Sequence, residues 1–181
     1  QTRVLKTLTQ PITATGRVWF QVPNHFRWEL GDPPRTIAIR QQNRLVLLYP
    51  RLHRAELYPL TGASPGAWQD SLALIEAGFP RDAVELDQRF ELLSAATADN
   101  RLRISLRPRS TSARRWMPQV DLVILVADST LESSELHFAD GSRLRNEFTN
   151  GVANPTIDPA LFDPVIPAGY TVLQPPPGGR R

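Results

Sequence analysis

Gly16-Arg-Val-Trp-Phe-Gln-Val-Pro-Asn-His-Phe-Arg-Trp-Glu-Leu30 is the stretch whose reading decides the fold. It divides into two strands joined by a Pro-Asn turn. Val18, Phe20 and Val22 fall on one face of the first strand, with Arg17, Trp19 and Gln21 on the other. After the turn, Phe26, Trp28 and Leu30 share a face opposite Arg27 and Glu29. Period-two alternation rich in aromatic and β-branched residues indicates strands with one strongly apolar side. That side needs a cover, which is either the protein's own core or a guest.

The same pattern continues outward in both directions. Thr2 to Leu8 reads as a first strand, and Pro11 interrupts it. Gly31-Asp32-Pro33-Pro34 is a turn. Beyond it Ile37 and Ile39 share one side of the strand 35–41, and Gln42-Asn43 joins this to 44–49, where Leu45, Leu47 and Tyr49 share a face. Pro50 ends that strand, and 54–58 gives another. Ser64-Pro65 then opens a helix as N-cap and first-turn proline. Trp68, Leu72 and Ile75 follow at helical spacing, and Gly78 and Pro80 stop it. A second short helical turn is expected over 81–86. Strands resume at 90–95, 101–108, 119–128, 131–138 and 143–149, with Asp140-Gly141 marking a tight hairpin. Leu102, Ile104 and Leu106 alternate against Arg101, Arg103, Ser105 and Arg107, while 119–128 is apolar on both faces, as a central strand would be. The segment 109–117 reads as a polar connection, 158–162 as one helical turn and 170–173 as a short closing strand.

About eleven antiparallel strands with turn signals every eight to twelve residues make a mainly β (α+β) protein. Their summed apolar faces exceed what so few helical residues can cover. This mismatch favours an unclosed antiparallel β-barrel with a short helical lid over a hydrophobic cavity, the alternative being a filled two-sheet sandwich. A single domain is expected over 1–173, with a disordered tail over 174–181.

Composition narrows the function. The 181 residues suffice for a domain with a real core, and they hold no run of apolar residues long enough to span a membrane as a helix. The chain begins at Gln1 within a strand pattern, so upstream sequence is expected and the lack of a secretory signal says little about compartment. With no cysteine, disulfides, thiolate metal sites and thiol catalysis are excluded. The three histidines lie far apart in sequence and form no HExxH-like pair. The net charge of +3 is mild and comes without a basic run or a recognisable module, which speaks against a nucleic-acid binder. Seventeen prolines favour short strands over long helices.

The opening stretch also resembles the signature of the periplasmic outer-membrane lipoprotein carriers, the LolA-like family. Its pattern is a glycine, an apolar-Trp step, Pro-Asn and Phe-x-Trp. A hairpin end at Leu48-Tyr49-Pro50-Arg51, a helix after the sixth or seventh strand, and a closing segment from Phe162 to Val172 follow in the family's order. The resemblance implies the unclosed barrel, no cofactor, and a cavity that takes acyl chains of lipoproteins. It implies further an inner-membrane donor complex, an outer-membrane acceptor, only transient contact with membranes, a periplasmic location and a monomer. On that footing the acyl-chain cavity is expected to use Val18, Phe20, Val22, Phe26, Trp28, Ile37, Ile39, Leu45, Leu47 and Tyr49, and the lid Trp68, Leu72 and Ile75. Plain core packing is the competing reading for each residue taken alone. Two departures mark a divergent member: Val22 stands where family carriers place an arginine thought to latch the lid, and the helix that precedes the family's first strand is not in this sequence.

Two further readings come from other classes. One is an enzyme that uses the same scaffold around a hydrophobic intermediate, with Asp121, Glu135 and His137 as the acid–base candidates. The other is a lipoprotein-sensing interaction domain. The basic strand face of Arg101, Arg103 and Arg107 fits an acidic partner or a solvated surface, the latter being the commoner case.

Overall fold

The structure, a computed structural model, describes residues 1–22, 25–60 and 83–174. The Pro23-Asn24 turn, the helix expected from Ser64 to Gly78 with its lid residues Trp68, Leu72 and Ile75, and the tail from 175 lie outside the described residues. The protein is mainly β. Its chain divides into two compact units, Gln1–Thr13 with Ala67–Ala153 and Ala14–Gly66 with Asn154–Arg181.

The first unit holds β1 (Thr2–Val4), β2 (Ile12–Thr13), α1 (Ala83–Arg89), β8 (Phe90–Ala98), β9 (Arg101–Pro108), α2 (Thr111–Trp116), β10 (Gln119–Leu125), β11 (Thr130–His137) and β12 (Arg143–Glu147). The second holds β3 (Gly16–Gln21), β4 (His25–Leu30), β5 (Thr36–Gln41), β6 (Arg44–Tyr49), β7 (Arg54–Pro59) and β13 (Thr171–Leu173). Each unit is one open sheet. The seven-stranded sheet runs β2-β1-β12-β11-β10-β9-β8 and the six-stranded sheet β13-β7-β6-β5-β4-β3. All neighbours are antiparallel except β13, which lies parallel to β7.

In the seven-stranded sheet, alternation puts Leu106, Val120, Leu122 and Leu136 on one face, where they close a core with Phe90 and Met117. β10 is flanked by β9 and β11, as expected of a strand apolar on both sides. A bulge between Val123 and Ile124 shifts the phase so that Ile124 pairs with Leu131. Helix α2 replaces the polar connection expected over 109–117. Ser110 caps it by accepting a bond from the Ala113 amide, and Met117 behind it is fully buried.

In the six-stranded sheet the opening hairpin pairs as its alternation requires, Gly16 with Leu30, Val18 with Trp28 and Phe20 with Phe26. Gly16 has no room for a side chain, because a Cβ there would run into the Glu29 carbonyl oxygen. The close approach is backbone to backbone, so only a shift of the hairpin could relieve it. Gly16→Ala is therefore expected to cost about 1–3 kcal/mol in urea denaturation. Gly151→Ala, where an added Cβ meets nothing within 4 Å, should stay within about 0.5 kcal/mol of the parent.

Candidate functional site

The six-stranded sheet is apolar on both faces, and the pairing register assigns each side chain to one of them. Ile37 pairs with Leu48, and Ile39 with Val46. Ala55 and Leu57 continue that face on β7. It is already covered by the chain's own C-terminal segment. Ile166 and Tyr170 pack on the cluster of Ile39, Val46, Leu48 and Ala55. Polar ties hold the segment in place: Arg27 Nη1 donates to the Leu161 carbonyl at 3.2 Å, and Gln41 Nε2 to the Phe162 carbonyl at 3.1 Å. A single turn over Pro159–Phe162 starts this cover, with the Asp158 side chain accepting from the Ala160 amide at 2.9 Å. The expected helical turn at 158–162 and closing strand at 170–173 are thus both present.

The opposite face carries two cross-strand rows. The first is Val18, Trp28, Ala38, Leu47 and Glu56, each paired with the next. The second is Phe20, Phe26, Arg40, Leu45 and Tyr58. The rows differ in burial. Phe26, Arg40 and Leu45 are 2%, 8% and 0% exposed, whereas every member of the first row is half-buried. Ala38 stands between Trp28 and Leu47, so the first row has a low point at its centre. The structure therefore brings together Val18, Phe20, Phe26, Trp28, Leu45, Leu47 and Tyr49 on one face. It does not bring Ile37 and Ile39 to them, because those two point to the other side. Val22 follows the last residue of β3 and is 65% exposed.

The β6–β7 side of this face is polar. Tyr58 Oη donates to Glu56 Oε2 at 2.7 Å, and Tyr49 Oη reaches the same oxygen at 3.4 Å. Arg54 lies 3.3 Å from Glu56 Oε1 and stacks 4.5 Å above the Tyr49 ring. Burial, then the bond and charge of Glu56, pushes the Tyr58 phenol far above its ordinary value. Tyr49 is raised by burial and by Glu56, with Arg54 opposing. Both phenols thus stay protonated and act as donors. Arg40, Arg54, Glu56 and Tyr58 were not singled out from sequence, although their period-two spacing from Ala38 and from one another held the signal.

Against known proteins, the family model for the outer membrane lipoprotein carrier protein LolA matches residues 1–165. The chain belongs to the LolA family. A search of curated proteins finds no match. LolA proteins are periplasmic carriers of lipoproteins, and in this LolA chain no helix among the described residues is long and apolar enough to cross a membrane.

The acid–base candidates of this LolA chain lie on the polar face of the seven-stranded sheet. Asp121 Oδ2 is 2.7 Å from His137 Nε2, while its Oδ1 accepts from Ser105 Oγ at 2.7 Å and from Gln119 Nε2 at 2.9 Å. The carboxylate sits between hydroxyl and imidazole. A nucleophilic serine instead needs the imidazole beside it as base, with the carboxylate behind. Glu135 is drawn off towards Arg143 and Arg145, each at 3.5 Å. Among the described residues no group of three or more His, Asp or Glu side chains is placed to hold a metal ion. Two arginines of the basic strand are compensated from other strands: Arg107 forks onto Glu91 of β8, and Arg101 onto Glu132, the extra residue of the β11 bulge. Surface pairs of this kind add little stability.

Burial works hardest against ionising Asp121, but the bonds from Gln119, Ser105 and His137 outweigh it and hold the carboxyl below the usual aspartate value. A depressed folded-state value means that the stabilisation is complete above the ordinary aspartate value. It is lost as pH falls through the lowered one. Thermal unfolding of parent and Asp121→Asn, followed from roughly pH 7 to about pH 3, should show the variant less stable at the upper end. The gap should narrow on acidification.

Proposed function

We propose that this LolA-family chain is a non-enzymatic carrier which holds the acyl chains of lipoproteins or other amphiphiles against the Val18–Trp28–Ala38–Leu47 row. It would work as a monomer between an inner-membrane donor complex and an outer-membrane acceptor. The observation that carries this reading is the unequal treatment of two apolar faces. One has its central cluster covered by the chain's own Phe162, Ile166 and Tyr170. The other keeps a half-buried apolar row with a low point at Ala38.

The energetics favour such an arrangement. Removing an acyl chain from water is worth about 0.8 kcal/mol per methylene, so a lipid tail does not cross an aqueous space unaided. A wall that touches the tail on part of its surface recovers part of that energy, which leaves the tail exchangeable. Filling the row with the protein's own side chains would remove the site, and wrapping the tail completely would prevent release. The exposed Val22 bears on release too. An aliphatic side chain there offers no charge to latch a lid, so cargo loading in this chain rests on apolar contact.

Native mass spectrometry of the freshly purified protein is expected to show bound lipid or lipopeptide, and an acylated fluorescent peptide should bind. Trp28→Glu and Leu47→Asp should each abolish uptake while circular dichroism reports an intact β fold. Ile39→Val, on the sealed face, should cost about 0.5–1.5 kcal/mol of stability and leave uptake unchanged. Uptake that survives both charged substitutions contradicts the assignment of the face.

A further inference from the structure

We infer that Tyr49, Arg54, Glu56 and Tyr58 form a headgroup subsite that selects acyl chains ending in a neutral carbonyl group, an ester or amide, over those ending in a carboxylate. The inference rests on the acyl-chain reading of the adjoining row and adds the chemistry of the end that the row leads to. Leu47 pairs directly with Glu56 across β6 and β7, so the apolar row runs straight into this set.

Each member has a definite capacity. Both phenols direct their hydrogens at Glu56. Glu56, only 14% exposed, is occupied on both oxygens by Tyr58, Tyr49 and Arg54. Arg54 has donors to spare. Its Nε is buried at 3.3 Å from Glu56 Oε1 yet makes no hydrogen bond among the described residues. A guanidinium has five N–H donors and no acceptor. Nε is shut in against Glu56 and Tyr49 shares the guanidinium, so a further acceptor oxygen meets the part of Arg54 that stays exposed.

Charge decides which oxygen. Arg54 and Glu56 carry opposite charges within 3.3 Å, so the subsite is neutral as a unit. A carbonyl oxygen gains the bond to Arg54 at no Coulombic cost. A carboxylate gains the same bond but meets Glu56 within a few ångströms, and it also gives up more hydration. The other charged side chain of this face, Arg40, stands on β5, two strands and about 10 Å from Glu56. It is nine-tenths buried in the Phe26–Leu45 row, outside the set.

The test uses a chain-matched pair of probes, a fatty acid and its monoacylglycerol, titrated below their aggregation limits at about pH 8, where the acid is ionised. The parent protein should prefer the monoacylglycerol. Glu56→Gln keeps the shape and an acceptor for the phenols but leaves Arg54 uncompensated. It should raise affinity for the fatty acid at least about threefold, with the ester within about twofold of the parent. Arg54→Gln should weaken both probes and, by leaving Glu56 uncompensated, widen the preference for the ester. If one variant fails to fold by circular dichroism, the other still decides. Binding of both probes with a ratio that neither substitution moves overturns the subsite alone. Binding of neither probe by the parent overturns the acyl-chain reading and the subsite with it.

Discussion

The pairing of Gln41 with Arg44 across the two residues Gln42-Asn43 sets the phase on which the six-stranded sheet depends. It is reinforced locally, since Arg44 Nε donates to Gln41 Oε1 at 2.7 Å while Gln41 Nε2 holds the Phe162 carbonyl. With that register, Ile37 and Ile39 meet Leu48 and Val46 on one face, and Ala38 and Arg40 meet Leu47 and Leu45 on the other. A slip of one residue would exchange the faces of β5. Arg40 would then stand against the Val46–Ala55 cluster under the C-terminal cover, at the cost of a charge forced into an apolar packing site. Register, more than propensity, therefore separates the face under the C-terminal cover from the face that carries the half-buried row.

Sealing one face has a consequence for the other. The Ile39, Val46, Leu48 and Ala55 cluster, with Ile166 and Tyr170 upon it, supplies this unit with a core of its own. The unit therefore does not need to bury every row of the opposite face, where Phe26 and Leu45 are already enclosed. That frees the row from Val18 to Leu47 to remain half-buried, which is the condition a reversible hydrophobic site requires. The seven-stranded sheet follows the same logic in a different way. Its apolar face closes a core with Phe90 and Met117, and its other face is a lattice of compensated charges between Arg107 and Glu147. Such a face offers solubility and little binding energy.

Much of this was legible in the residues. The alternation of Gly16–Leu30 carries its own pairing, and 101–108 matches β9 to the residue. Asp158-Pro159 announces the turn that starts the C-terminal cover. Other features were hidden for identifiable reasons. Arg44–Tyr49 is apolar in both phases, so alternation alone does not say whether Leu45 and Leu47 or Val46 and Leu48 face a cavity. Counting outward from the two-residue turn would have separated Ile37 and Ile39 from Leu45, Leu47 and Tyr49. The Gly31–Arg35 connection is five residues long, and no parity rule relates β4 to β5 across it. Helix α2 escaped because Arg114-Arg115 dominates its composition, while its decisive signal is the Ser110 cap. The partners of Arg101 and Arg107 come from other strands, Glu132 on β11 and Glu91 on β8, which no reading of one strand reveals.

The central claim is that cargo lies on the Val18–Leu47 row and not on the Ile39 side of the same sheet. Photocrosslinking tests it most directly, using an acyl peptide with a diazirine on its chain and peptide mapping of the adducts by mass spectrometry. Adducts on Val18, Trp28 and Leu47, absent when unlabelled acyl peptide competes, are the predicted result. Competable labelling concentrated on Ile37, Ile39 and Leu57 would contradict the account.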